Sequence, residues 1–206
     1  IKLYKLVKKT RPTYTIMLGD LLHEHERLHT TALNKAHDFI KILSGISEVY
    51  CIVGNHDLIN NRQFLTKNHW MNAMKEWNNV VVVDYPTYVE KANVKFTLVP
   101  YVPPGEFMSA LDFTPDWKRS DIIFAHQEMK GCKMGAIISE EGDEWQDDFP
   151  FLVSGHIHSH QWVGNNIYYP GACMQHAFGE SEKNIIAIIP FVNCKQMIQE
   201  HDLGLP

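Results

Sequence analysis

Four short apolar runs in this 206-residue chain each end in a side chain that can bind a metal ion. The residues at these ends are Asp20, Asn55, His126, and His156 together with His158. Carboxylate oxygen, amide oxygen and neutral imidazole are ligands that suit divalent ions such as manganese, iron or zinc. One such ending is commonplace, but four in one chain favour a polar metal site.

The ending at Gly54-Asn55-His56-Asp57 offers three different chemical groups. Asn55 provides a neutral oxygen for a metal, His56 a proton or a nitrogen, and Asp57 a carboxylate that can orient the histidine. The alternative interpretation is a polar turn, because these residue types are common in turns. The three similar endings elsewhere in the chain favour the site.

The elements that must position these groups are short strands. Tyr14 to Leu18, Val49 to Val53, Asp121 to Ala125 and Phe151 to Val153 are apolar and end at the polar residues. A helix from Thr30 or Thr31 to Ser44 joins the first two strands, which predicts a βαβ unit with parallel strands. In open α/β sheets, ligands bind at the carboxyl ends of such strands.

The remaining pattern predicts further helices, strands and one long loop. We expect residues 127–148, which end in an acidic run, to form a mobile surface loop, with a solvated acidic face as the alternative. The other predicted elements are the end of a helix over Ile1–Thr10, a helix over Arg62–Trp77, strands at Val80–Val83, Ile185–Ile189 and Phe191–Gln199, and hairpins formed by Tyr88–Glu90 with Lys95–Pro100 and by Gln161–Val163 with Ile167–Tyr169.

Composition limits the class of protein. Hydrophobic residues make up 45% and charged residues 21%, which fits one globular domain. The net charge of −5 argues against a global basic surface for nucleic acid, although bound metal ions add local positive charge. The four scattered cysteines predict reduced thiols and a cytoplasmic location. No apolar stretch reaches the length of a membrane span, so we expect no membrane association.

The motifs resemble those of the calcineurin-like metallophosphoesterases. The matching segments, in the family's order, are Gly19-Asp20-Leu21-Leu22-His23, Gly54-Asn55-His56-Asp57, His126 after a strand, and Gly155-His156-Ile157-His158. The resemblance implies an α/β fold in which two stacked mixed β-sheets are flanked by helices. It also implies hydrolysis of phosphoesters.

A narrower resemblance is to the SbcD-type nucleases of double-strand-break repair. It depends on His23, the long helix that follows, Tyr169-Pro170-Gly171-Ala172 and Phe178-Gly179-Glu180. This branch implies DNA or another phosphodiester as substrate, and an ATPase partner or a homodimer. The capping domain and partner-binding segment of such enzymes do not follow within the sequence, which fits a minimal phage-like or viral version in the host cytoplasm.

The family pattern implies a two-metal centre. Asp20 would bridge both ions, Asn55, His126 and His156 would complete one site, and His158 would bind the other ion. Manganese is the expected metal, with zinc and iron as alternatives.

The resemblance also implies catalytic roles for three residues. His56 would act as a general acid, Asp57 would orient His56, and His23 would face the substrate phosphate. From the sequence, His176 follows the Pro170-Gly171 turn and is a candidate for contact with the substrate. Three other histidines, His25, His29 and His37, are expected to face solvent.

One feature departs from the family pattern. The chain contains no Asp-x-His motif, which supplies two ligands to the site that His158 serves. We therefore expect residues 1–206 to form a single phosphoesterase domain that is incomplete at its N-terminus, lacks the first strand, binds one ion well and hydrolyses poorly. A phosphatase or phosphodiesterase for small nucleotides or phosphoproteins, and a scaffold that has lost catalysis, remain alternatives.

Overall fold

Two β-sheets packed face to face form the centre of the computed structural model, which describes residues 2–25, 27–174 and 183–205. Within these residues the smaller sheet has three parallel strands, β1 (Tyr14–Met17), β2 (Glu48–Ile52) and β3 (Val80–Val83). The other strands are β4 (Thr87–Lys91), β5 (Val94–Val99), β6 (Ile122–Ala125), β7 (Lys133–Met134), β8 (Ile137–Ile138), β9 (Phe151–Ser154), β10 (Gln161–Val163), β11 (Ile167–Tyr169), β12 (Ile185–Ile188) and β13 (Gln199–Asp202).

The larger sheet is mixed and has the strand order β10-β11-β9-β6-β5-β4. Strands β5, β6, β9 and β11 are parallel, and the edge strands β4 and β10 are antiparallel to their neighbours. Short antiparallel pairs, β7 with β8 and β12 with β13, complete the sheet structure of the described residues. The hairpin of β4 and β5 turns at Ala92-Asn93, as the sequence predicts, and both residues have positive φ.

Side-chain alternation along the strands explains the layers. In β2, Tyr50 and Ile52 point into the core between the two sheets, while Val49 and Cys51 point outward. Outside the smaller sheet lie helices α1 (Lys2–Thr10) and α2 (Thr30–Ser44) and the 3₁₀ helix Trp70–Glu76. Outside the larger sheet lie α3 (Phe107–Leu111), the 3₁₀ helix Pro115–Arg119 and part of the 127–148 segment. The predicted fold of two stacked sheets flanked by helices is confirmed.

The prediction of a helix from Arg62 to Trp77 is largely wrong. Only Trp70–Glu76 is helical, in 3₁₀ form, and residues 62–69 belong to a loop. Leu58 forms a β-bridge with His69, and the His69 ring accepts a hydrogen bond from the backbone N–H of Met71. These contacts close a loop where local helix propensity would have continued a helix.

Two other segments also differ from expectation. Residues 191–197 form turns rather than a strand, and the strand β13 begins at Gln199 to pair with β12. Residues 127–148 are not only a surface loop, because Met129, Cys132 and Asp143 are buried and hold the segment against the larger sheet. Its acidic residues from 140 to 148 are nevertheless mostly exposed.

All four cysteines are free, and Cys51 and Cys132 are buried. Among the described helices, none combines the length and apolarity that crossing a bilayer requires.

Asp84, just after β3, holds the segment that leads into the Trp70–Glu76 helix. Its carboxylate accepts a hydrogen bond from Nε2 of His69 at 3.1 Å and pairs with Lys75 at 2.5 Å. Burial by itself raises the pKa of Asp84. The hydrogen bonds from His69 and Lys75 and the charge of Lys75 outweigh burial, and the pKa falls to about 2. Ionised Asp84 therefore stabilises the folded state.

We predict that Asp84→Asn lowers the free energy of unfolding at pH 7 by about 1–2 kcal/mol after allowance for solvent screening. Because the folded pKa is below the unfolded value of 3.8, this contribution is present above pH 4 and is lost as the pH falls toward 2. Urea unfolding at pH 7, 4.5 and 2.5 measures it. Asp116→Asn is the control, since Asp116 and Arg119 pair in an exposed position. An Asp84→Asn effect of equal size at all three pH values would contradict the prediction.

Candidate metal centre

Four donor atoms from four strand ends converge at one edge of the two sheets. Nε2 of His126 lies 3.2 Å from Oδ2 of Asp20 and 3.0 Å from Oδ1 of Asn55. Nδ1 of His156 lies 3.0 Å from the same Asn55 oxygen and 3.3 Å from Nε2 of His126. We call Asp20, Asn55, His126 and His156 the four-residue cluster.

The spacing of these donor atoms fits a metal ion. Ligand bonds of about 2.0–2.2 Å place neighbouring donors about 3–3.5 Å apart around one ion. Asp20, His126 and His156 also form the one group of three acidic, histidine or cysteine ligands that comes together among the described residues. The amide oxygen of Asn55 adds a fourth donor.

A hydrogen bond on the far side of the His126 ring decides which of its nitrogens faces the cluster. The Nδ1–H of His126 donates to the backbone carbonyl of Leu18 at 2.6 Å, so Nε2 of the neutral ring presents a lone pair. That lone pair faces the oxygens of Asp20 and Asn55, an arrangement of three acceptors that a cation would stabilise. Nδ1 of His156 faces the cluster in the same way, and its Nε2 faces Oε2 of Glu128 at 4.0 Å.

Glycines let the strand ends approach so closely. A side chain on Gly54 would overlap the carboxylate of Asp20, and one on Gly19 would overlap the ring of His126. Two cluster residues also have left-handed backbone conformations, Asp20 with φ 52° and His156 with φ 71°. Such conformations cost about 1–3 kcal/mol each and collect at functional sites.

Electrostatic effects differ among the cluster residues. They favour ionised Asp20 and neutral His156. Burial would raise the pKa of Asp20, but His126 and the backbone N–H of His56 outweigh it and lower the pKa to about 2. Burial, followed by the neighbouring His126, lowers the pKa of His156 to about 4. Both residues are therefore in their metal-binding forms at neutral pH. Burial would lower the pKa of His126, but the Asp20 carboxylate outweighs it and raises the pKa.

Asp57 does not orient His56, contrary to the expectation. Its Oδ2 accepts hydrogen bonds from the backbone N–H groups of Asp20 at 2.8 Å and Gly54 at 3.0 Å. Its Oδ1 accepts from Nε1 of Trp70 at 2.9 Å. The buried carboxylate thus joins the loops that carry Asp20 and Asn55, and burial raises its pKa to about 6.

His56 lies beside the cluster in a stack of imidazoles. Its backbone N–H donates to Oδ1 of Asp20 at 2.8 Å. The rings of His23 and His25 each lie 4.8 Å from the His56 ring and nearly parallel to it. Nδ1 of His56 is buried and has no hydrogen-bond partner among the described residues, and burial lowers the pKa of the ring.

The other histidines divide between the site and the rest of the fold. The expectation that His25 faces solvent is wrong, because the residue is half-buried and Nδ1 of its ring lies 3.1 Å from the carbonyl oxygen of Leu58. His37 is also half-buried, beside Trp70 and Trp77, whereas His29 is exposed as expected.

The two remaining predicted site residues are His158 and His176. His158 is exposed and does not belong to the group of three ligands found among the described residues, so its role as a ligand of a second ion stays a prediction. His176 lies outside the described residues.

A pocket of about 480 Å³ opens next to the cluster and shares Asn55 and His156 with it. Its other walls include Arg62, Tyr101 and Glu128, which no sequence motif indicates. The Tyr101 ring lies 6.0 Å from the ring of His156. None of these three residues belongs to a motif at a strand end, so position in the sequence gave no signal for them.

Residues 1–160 match the family described as calcineurin-like phosphoesterase. The chain belongs to that family. The four-residue cluster therefore lies in a phosphoesterase domain, and the superfamily resemblance of the motifs is confirmed.

Two viral relatives support the assignment. The chain is 56% identical over 175 residues to "Putative phosphoesterase 244L" of Invertebrate iridescent virus 6, which covers 84% of this chain and 62% of the relative. It is 46% identical over 208 aligned residues to "Putative phosphoesterase 078R" of Invertebrate iridescent virus 3, covering 100% of this chain and 60% of the relative. The chain thus spans less than two thirds of the length of either relative.

One similar solved structure is a protein of unknown function from Aquifex aeolicus. It is 17% identical, covers 64% of this chain and 70% of that one, and has a TM-score of 0.31. A likeness at this score adds nothing to the assignment.

We predict that the phosphoesterase chain binds one manganese ion tightly, because one cluster of donors is assembled in its described part. Titration calorimetry should give one tight equivalent for the wild type. His126→Ala should weaken binding by more than about 100-fold, since loss of a residue that merely supports a ligand already costs 10–100-fold. His29→Ala is the matched control and should bind like the wild type. Two tight equivalents, or normal binding by His126→Ala, would contradict the prediction.

A second prediction concerns Glu128, which faces the outer nitrogen of His156. Oε1 of Glu128 accepts a hydrogen bond from Ser139 at 2.5 Å, so the carboxylate is held in place by the 127–148 segment. Glu128→Ala should weaken manganese binding about 10–100-fold by releasing the His156 ring. Glu140→Ala, an exposed change in the same segment, is the control, and equal affinities of the two variants would exclude the role.

Proposed function

We propose that this phosphoesterase is a divalent-metal-dependent phosphodiesterase that cleaves DNA, as in the SbcD-type branch. The observation that carries the proposal is the convergence of Asp20, Asn55, His126 and His156 within 3.0–3.3 Å beside an open pocket. This donor set, in a member of the calcineurin-like family, supports hydrolysis of a phosphoester.

The residues would hold the metal through the lone pairs that already face one another. A divalent ion bound there would supply Lewis-acid activation and would neutralise charge on the phosphoryl group. Asp20 is fixed for this task because its Oδ1 is occupied by the backbone of His56, which leaves Oδ2 to face the cluster. Asn55 presents its oxygen between the two histidine nitrogens.

His56 is the proposed general acid. Burial lowers the pKa of the free ring, so the ring is neutral at pH 7 until substrate arrives. A phosphate anion nearby raises the pKa of an imidazole and favours its protonated form. His23 and His25 confine the ring by stacking, so that a proton can be delivered from a fixed position.

A second metal ion would bind more weakly beside the first, and manganese would occupy both sites. Asp20 would be shared between the ions, and His158 would be the further ligand from this chain. Imidazole and carboxylate ligands are compatible with manganese, iron and zinc.

The resemblance of the motifs to the SbcD-type branch favours DNA over a small nucleotide as the substrate. A small nucleotide is the second candidate substrate, because the pocket volume of about 480 Å³ is within the range of small-molecule sites. We also propose that the protein acts in the host cytoplasm, either with an ATPase partner or as a homodimer. The names of the viral relatives and the free cysteines support the location.

We predict that the protein, supplied with manganese, hydrolyses bis(p-nitrophenyl) phosphate and single-stranded or double-stranded DNA slowly but measurably. His56→Gln should lower kcat about 10²–10⁴-fold, which is the usual contribution of a positioned acid. It should leave the affinity for manganese within a few-fold of the wild type, since the His56 ring is not in the four-residue cluster. Steady-state kinetics and calorimetry measure the two effects.

His29→Gln, at an exposed histidine outside the site, is the matched control and should retain full activity. Turnover of p-nitrophenyl phosphate or a mononucleotide without cleavage of any diester would favour the small-substrate alternative. If the protein binds manganese but turns over none of these substrates, the hydrolase proposal is wrong and the scaffold alternative stands.

A further inference from the structure

The loop of residues 59–68 directly follows the Gly54–Asp57 motif and forms one side of the site. Its ends meet through the bridge between Leu58 and His69 and through a hydrogen bond from the backbone N–H of Ile59 to the carbonyl of Asn68 at 3.1 Å. The hydroxyl of Tyr101, in the pocket wall, donates to the carbonyl of Asn61 at 3.4 Å. The loop is therefore held against the pocket.

Arg62 brings a positive charge from this loop to the pocket that adjoins the metal cluster. The residue is exposed, and its guanidinium pairs with no carboxylate among the described residues. Guanidinium groups bind phosphate oxygens in bidentate geometry. Arg62 is therefore available for a phosphate next to the one held at the cluster.

Three exposed aromatic rings lie together, and one of them, Phe64, is two residues from Arg62 in the chain. Phe64, Tyr85 and Phe113, which we call the aromatic cluster, are 38%, 44% and 53% exposed. The Phe113 ring lies 6.2 Å from that of Phe64 and 5.4 Å from that of Tyr85. Three separate segments thus place exposed rings at one point on the surface, and clustered rather than scattered exposure of apolar groups is a feature of binding sites.

The 59–68 loop links the aromatic cluster to the pocket, because it carries both Arg62 in the pocket wall and Phe64. Phe64 follows Arg62 by two residues, so the two Cα atoms are at most about 7 Å apart. A nucleotide joins a phosphate to a flat base over a comparable distance. The base of a nucleotide whose phosphate binds Arg62 would therefore reach the exposed rings. A protein partner would not use the unpaired guanidinium and the metal cluster together.

We propose that the 59–68 loop and the aromatic cluster bind an unpaired nucleotide of a nucleic-acid strand beside the phosphoester that is cleaved. Arg62 contacts the flanking phosphate, and the base stacks on Phe113 and its two aromatic neighbours. The inference rests on the proposed function, since it takes the substrate to be a phosphodiester. Because the net charge is −5, stacking supplies more of the affinity than charge does, and unpaired strands bind better than duplexes.

Fluorescence anisotropy with a labelled ten-nucleotide oligothymidylate, in EDTA to prevent cleavage, tests this binding. Phe113→Leu keeps an apolar side chain but removes the aromatic face, and it should raise Kd about 5- to 150-fold, as loss of one base stack does. Phe113→Tyr keeps the face and should restore binding to near the wild-type Kd. Arg62→Gln should weaken binding and reduce the slope of log K against log salt by about 0.7.

Ile137→Ala, at an exposed apolar residue on β8, is the control and should bind like the wild type. Equal affinity of Phe113→Leu and the wild type, or wild-type preference for a duplex of the same length, would overturn the inference. Hydrolysis of bis(p-nitrophenyl) phosphate by the wild type, measured in parallel with manganese, separates the two proposals. If the wild type hydrolyses the diester but Phe113→Leu leaves oligonucleotide binding unchanged, only the nucleotide-site proposal is wrong. If Phe113→Leu weakens binding but the wild type shows no hydrolysis, only the hydrolase proposal is wrong.

Discussion

The buried carboxylate of Asp57 is the interaction on which the site depends. It accepts backbone hydrogen bonds from Asp20 and Gly54 and a side-chain hydrogen bond from Trp70. These three groups belong to the loop after β1, the loop after β2 and the helix that packs outside the smaller sheet. A buried charge is costly unless it is fully hydrogen-bonded, so the three elements must keep these positions for the fold to be stable.

This constraint explains why candidate metal ligands from two different sheets can meet. With the loops after β1 and β2 joined, Asp20 and Asn55 are presented together, and the larger sheet brings His126 and His156 from β6 and β9 against them. The hydrogen bond from His126 to the carbonyl of Leu18 fixes the distance between the sheets at this edge. The left-handed backbone of Asp20 and His156 is strained, and the surrounding packing must maintain it.

Around this rigid centre, two segments differ most from what local sequence predicts, and both border the site. The pattern of residues 62–69 predicts a helix, but they form the loop that carries Arg62 and Phe64. The pattern of residues 127–148 predicts a mobile loop, but the segment is anchored by buried residues and presents Glu128 to His156. In both, tertiary contacts override local preference, which is common where a chain builds a functional surface.

The sequence by itself determined the central strands and the four metal-capable residues, because apolar runs and polar strand ends are local patterns, and the layers followed from the resemblance of its motifs to those of the family. Asp20, Asn55, His126 and His156 can be named from residue type and position in the chain alone, although the distances between them cannot. Only the tertiary structure decided that Asp57 bonds to backbone rather than to His56, that His25 stacks on His56, and that Glu128 faces His156. Those contacts join residues far apart in the chain through specific distances and directions, and no local pattern of residue types encodes them.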